Sequence, residues 1–175
     1  MSKKVIKFGL SVREINGAIR EVNKFKQDFL NKVDTYRQRI ADDIAAQASL
    51  NFGNAIVDDV INGSSRRPDV RVSVSDKGNI TVIVAEGEDA VWCEFGSGVY
   101  HNDSVGSSPN PYGNDLGFTI GSYGKGYGKK QAWGYYDDNG DLVITRGTPA
   151  TMPMYNAAQE VMRKSVEIAR EVFGS

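Results

Sequence analysis

Apolar residues fall at Val12, Ile15, Ile19, Val22, Phe29, Val33, Tyr36, Ile40, Ile44 and Ala48, in steps of three and four with one step of seven. That spacing lines one face of a helix and commits a large part of the chain to a helical layer. Ser11 precedes the run and Glu14 follows it by three residues, the arrangement of a capping box. The run exceeds the ~25 residues usual for a globular helix, so residues 11–52 are expected to form two helices divided near residues 31–34. A coiled coil ranks behind this reading, because the seam holds few heptads and the charges are mixed.

Residues 52–69 lose the period and read as a connection, with at most one helical turn at 55–61. Val70, Val72 and Val74 then alternate with Arg71 and Ser73, the period of a strand. Residues 75–79 supply a turn and residues 80–85 a returning strand, with Ile83 off the alternation, as in a strand covered on both faces. Residues 90–95 fit either a strand or a short helix. Asp89 as N-cap and Gly96 as a left-handed terminator favour the helix. Between Gly96 and Gly147 lie 12 of the chain's 19 glycines, interleaved with tyrosines. The insert at 99–148 therefore reads as an exposed loop, with a hairpin around Asn139-Gly140 joining strands at 133–136 and 142–145. Residues 151–173 read as a closing helix with Thr151 as cap and Pro153 in the first turn; Ala157, Val161, Ile168 and Val172 lie on its buried face. The fold class is α+β: helices packed on a small antiparallel sheet, in a single domain, with a projecting loop and hairpin.

The 21 basic and 22 acidic residues give a net charge of -1, which argues against gripping nucleic acid by bulk charge. No apolar stretch follows Lys3, Lys4 and Lys7, so no secretory signal is expected, and no run is long enough for a membrane helix. Cys93 is the one cysteine; the chain reads as a soluble protein of a reducing cytoplasm.

Cys93 and His101 lack a third residue to orient them as a nucleophilic pair, and they cannot complete a zinc site. Gly121 to Lys130 departs from the phosphate-loop pattern at Tyr123 and at Lys130. Asp137 to Asp141 departs from a calcium loop, with Leu142 at the sixth position and Thr148 at the twelfth. Glu86, Glu88, Asp89 and Glu94 read as turn and cap residues rather than paired acid catalysts. No catalytic residue, cofactor or metal site is expected.

Two short stretches remain: Glu94-Phe95-Gly96-Ser97-Gly98, after the hairpin, and Pro153-Met154-Tyr155, opening the last helix. In this order, behind N-terminal helices, they resemble the neck and tail-completion proteins, or minor tail components, of long-tailed bacteriophages and prophages. Ser97 stands where that family often has Thr, and Met154-Tyr155 where it has Phe-Leu or Phe-Met. The resemblance implies a structural virion protein that self-associates into a ring at the neck or tail top. By the same resemblance such a protein would join heads to tails, contact other neck and tail proteins, and let DNA pass through its lumen without specific recognition. Synthesis in the host cytoplasm, no membrane and no chemistry are implied too. Tyr123, Tyr127 and Trp133 are the candidate ring contacts, since aromatics are enriched at interfaces. The alternative is a nucleic-acid-binding module working through the Lys/Tyr/Gly-rich loop.

Overall fold

A computed structural model of the chain describes residues 5–97, 108–113, 115–117 and 132–174. It is an α+β fold, in the order α1 (Val12–Asn54), β1 (Arg71–Asp76), β2 (Thr81–Glu86), α2 (Ala90–Phe95), β3 (Trp133–Tyr136), β4 (Leu142–Thr145) and α3 (Pro153–Gly174). The capping box forms: Ser11 Oγ accepts from Glu14 N, and Glu14 Oε2 accepts from Ser11 N, both at 3.3 Å.

α1 is one unbroken helix of 43 residues, so the division expected at 31–34 is absent. Leu30-Asn31-Lys32-Val33-Asp34 holds neither Gly nor Pro, and length alone had argued for a break. Side chains bridge the place: Gln27 Nε2 donates to Asn31 Oδ1, and Thr35 Oγ1 to the Asn31 carbonyl.

α3 packs antiparallel on the C-terminal part of α1. At one end Asn51 Nδ2 donates to the Pro153 carbonyl at 3.0 Å. At the other, Arg39 pairs with Glu171 at 2.7 Å, and the Phe173 ring lies 5.9 Å from Phe29 and 6.0 Å from Tyr36. Ala48 and Ala157, both fully buried, let the helices approach, while Ile44, Val161, Ile168 and Val172 fill the seam. The four apolar residues expected to face inward from α3 all do so. Each such Val or Ile contributes roughly 1.5–3 kcal/mol of burial.

β1 and β2 pair antiparallel, Arg71 opposite Glu86 through to Asp76 opposite Thr81. Val72 and Ile83 pack on the helix seam; Val70, Val72 and Ala85 pack on a second cluster built from Phe52, Ala55, Val57, Ala90 and Cys93. Arg37 anchors the hairpin tip to α1 by donating to the Gly78 carbonyl and pairing with Asp76 at 3.3 Å.

β3 and β4 form a separate two-stranded sheet. Gly140 closes its turn at φ 84°, with Gly140 N donating to the Asp137 carbonyl. Residues 55–61, read as a connection with at most one helical turn, hold no helical turn. That stretch is extended along the edge of β4, where Ile61 N donates to the Ile144 carbonyl, Arg146 N to Asp59 and Asp59 N to Gly147. Thr145 and Thr148 are buried as a result, so residues 132–148 belong to the folded body. No helix among the described residues is long and apolar enough to cross a membrane.

Candidate functional site

The two motif stretches meet in space. Glu94 stands on the last turn of α2 with only 9% of its surface exposed. Its Oε2 accepts from Met154 N at 2.8 Å and its Oε1 from Tyr155 N at 3.0 Å. These are the second and third residues of α3, whose amides have no partner within the helix. The carboxylate thus caps α3 from across the fold, where the positive end of the helix dipole favours it. Asn110 Nδ2 donates to Oε1 at 2.9 Å, and Asn110 Oδ1 in turn accepts from Tyr112 N. Burial pushes the Glu94 carboxyl above the usual glutamate range, against the pull of these three hydrogen bonds.

Thr151 was the expected cap of α3, and it is displaced. Met152 sits at φ 51°, turning the chain immediately before Pro153. Met152 N donates to the Cys93 carbonyl at 3.1 Å, and Glu94 takes the amides that a local cap would have taken. Pro153 occupies the first helical position as expected, where its missing N–H leaves nothing unpaired.

The neighbouring motif residues lock the same junction. Gly96 terminates α2 at φ 81°, its N–H donating to the Trp92 carbonyl at 2.7 Å. Ser97 and Thr148 bond reciprocally: Ser97 N donates to the Thr148 carbonyl, and Thr148 N to Ser97 Oγ, each at 2.9 Å. A hydroxyl is what position 97 needs, which serine and threonine both supply. The Phe95 carbonyl accepts from Ser108 Oγ at 2.6 Å. Met154 packs against both apolar clusters, and the Tyr155 ring meets Tyr112 edge-on at 6.3 Å. Gly98 lies outside the described residues.

Asp89 precedes α2 without capping it. Its carboxylate takes Arg66 in a fork, at 2.7 and 2.8 Å, and the Asp69 amide at 3.1 Å. Two charge-assisted bonds outweigh one backbone amide. The Arg66 hydrogen bonds hold the Asp89 carboxyl below its usual range, against burial. A depressed carboxyl stabilises the fold fully above its unfolded value near ~3.9 and ceases to do so as pH falls through the lower folded value. Arg66→Ala is therefore expected to raise the Asp89 titration midpoint. The predicted stability loss near pH 7 is about 1–2 kcal/mol, held down because the Arg66 side chain is 57% exposed. Carboxyl NMR titration with urea melts at pH 7 and pH 3 checks both; an unmoved Asp89 midpoint would refute the assignment.

Cys93 is fully buried on the inner face of α2, and burial pushes its thiol up to about 11. Its sulfur is a packing atom in the cluster around Phe52. Cys93→Ala is expected to cost about 1 kcal/mol, read by thermal melting, and to leave the fold intact. His101 lies outside the described residues. Among those described, no three His, Cys, Asp or Glu residues are placed to hold a metal ion.

Of the candidate ring contacts, Tyr123 and Tyr127 lie outside the described residues. Trp133 is on β3, 44% exposed, its ring 5.4 Å from that of Tyr135. The Lys/Tyr loop at 121–130 is likewise outside them. An open groove of about 790 Å³ lies between α1 and the β1–β2 turn, lined by Asp34, Arg37, Asp42 and Asp76 among others; its charges are mixed.

Asn110, Thr148 and Arg66 were not foreseen. Asn110, between Pro109 and Pro111, carries the signal of an Asx-turn and nothing that names Glu94 as partner. Comparison with protein-family models, with curated proteins and with solved structures finds no match for the chain.

Proposed function

We infer that this chain is a structural subunit of a long-tailed bacteriophage virion, acting at the neck or tail top in tail completion and head–tail joining. The observation that carries the reading is the Glu94 junction. The two stretches that resemble the tail-completion family lie 60 residues apart, and they are bonded to each other through one buried carboxylate. A family signature with that property is architectural: it holds α2 against the start of α3. Every oxygen of Glu94 is occupied by the protein's own donors, and the Cys93 thiol beside it is buried. The proposed subunit builds a ring through heterologous contacts, with Trp133 on the exposed β3 as one contact residue.

The test is an in-frame deletion of the gene in its phage or prophage. Electron microscopy should show full heads and finished tails that fail to join, and the wild-type chain supplied in trans should restore infectivity. Normal joined virions in the deletion would sink the proposal. If the protein instead works through nucleic acid, its affinity for duplex DNA will fall steeply with added salt.

A further inference from the structure

The N-terminal part of α1 carries an apolar strip that the described fold leaves largely exposed. Val12, Ile15, Ile19 and Val22 are 75, 38, 52 and 53% exposed, and Phe29 is 38% exposed. The strip continues the seam that α3 covers farther along α1. α3 ends at Gly174, one residue beyond the Phe173 ring that meets Phe29. The bare apolar area is on the order of several hundred Å², the size that marks an interaction surface on a soluble chain. The segment is also a poor helix by itself. Asn16, Gly17 and Asn23 are weak helix formers, four of its apolar residues are β-branched, and so short a stretch is marginal in water.

We propose that this arm pairs antiparallel with the same arm of a second copy of the chain. Val12, Ile19 and Lys26 hold one position of a 3–4 repeat, and Ile15, Val22 and Phe29 the other. Antiparallel pairing sets Val12 opposite Phe29, Ile15 opposite Lys26, and Ile19 opposite Val22, twice over. Beside the seam Ala18 meets Phe25, and Asn16 meets Asn23. No charge faces a like charge; the Lys26 stem lies along Ile15 and its ammonium reaches water. A parallel pair would set Lys26 against Lys26. Sliding one heptad toward the body would set Val12 opposite Tyr36, which is half-buried against the α1–α3 core, whereas Phe29 is among the exposed residues. Sliding the other way leaves Phe29 bare. The pair is isologous and closes on itself, so it does not rest on the ring reading and can fail without it.

The test uses the full chain. Sedimentation should give twice the 19.1 kDa mass. Asn16→Lys with Asn23→Lys should raise the dimer dissociation constant at least ~10-fold, and Asn16→Lys with Asn23→Glu should restore it, since the antiparallel register then opposes unlike charges. Both positions are exposed, so the thermal melt of the body should not move. In a Cys93→Ala background, mild oxidation of mixed Val12→Cys and Phe29→Cys chains should cross-link several-fold more than either alone. A monomer at about 100 μM, equal dissociation constants for the two charge variants, or cross-linking as strong in the single-variant samples would overturn the proposal.

Discussion

Glu94→Ala is expected to lower stability by about 3 kcal/mol, because it strips a charged acceptor from three donors at once. Met154 N and Tyr155 N would face a cavity, and the Asn110 amide would lose its acceptor. For a chain of this length that loss corresponds to a melting point lower by roughly 6–12 °C. Glu94→Gln is not a mild change here. Its carboxamide keeps one oxygen and turns its N–H₂ toward a backbone N–H, so about half of the loss should remain. Circular dichroism melts of the three proteins decide it. A Glu94→Ala chain melting within 2 °C of the parent, a shift worth less than ~1 kcal/mol, would mean that the carboxylate does not hold α3.

Gly87→Ala is expected to cost at least ~3 kcal/mol, the sum of an unfavourable backbone and a collision. Gly87 has φ 142°, and a Cβ there would stand 2.2 Å from the Asp69 carbonyl oxygen and 3.2 Å from Val70 Cα. Backbone, not a flexible side-chain end, must yield. The movement would pull Asp69 from the Asp89 carboxylate and shift the entry to α2, whose Ala90 N donates to the Gly87 carbonyl. Little soluble protein on expression, or a melting point lower by roughly 6 °C or more, is the outcome foreseen. A Gly87→Ala chain as stable as the parent would show that β2 and the 66–70 segment can separate freely.

The parts of this fold that the sequence made legible are those whose partners are near in the chain. The Ser11–Glu14 box, the hairpin from Arg71 to Glu86, the Asn139-Gly140 turn and the inward face of α3 each rest on residues a few positions apart. α2 was recoverable because Gly96 punctuates it. The Glu94 cap was not, since a glutamate carries no mark of which helix end it will meet. Arg66 drew Asp89 away from its local capping role for the same reason. The continuity of α1 was misjudged where no residue argued for a break. Its helix runs on through a stretch that the body does not bury, so burial could not have indicated its length. The Glu94 and Pro153 stretches were singled out by resemblance; their contact became visible only in three dimensions.

Asn51 and Pro153, bonded at the join of α1 and α3, are 102 residues apart in sequence. α1 leaves the ribosome before α3 and therefore waits for it before their seam can close. At a synthesis rate of ~5–20 residues per second, the groove around Ile44 and Ala48 stays open for roughly 5–20 s on every nascent chain. Through that interval it is a binding surface for chaperones and for other unfinished chains. The yield of native protein should then depend on translation speed and temperature more steeply than the stability of the finished fold does.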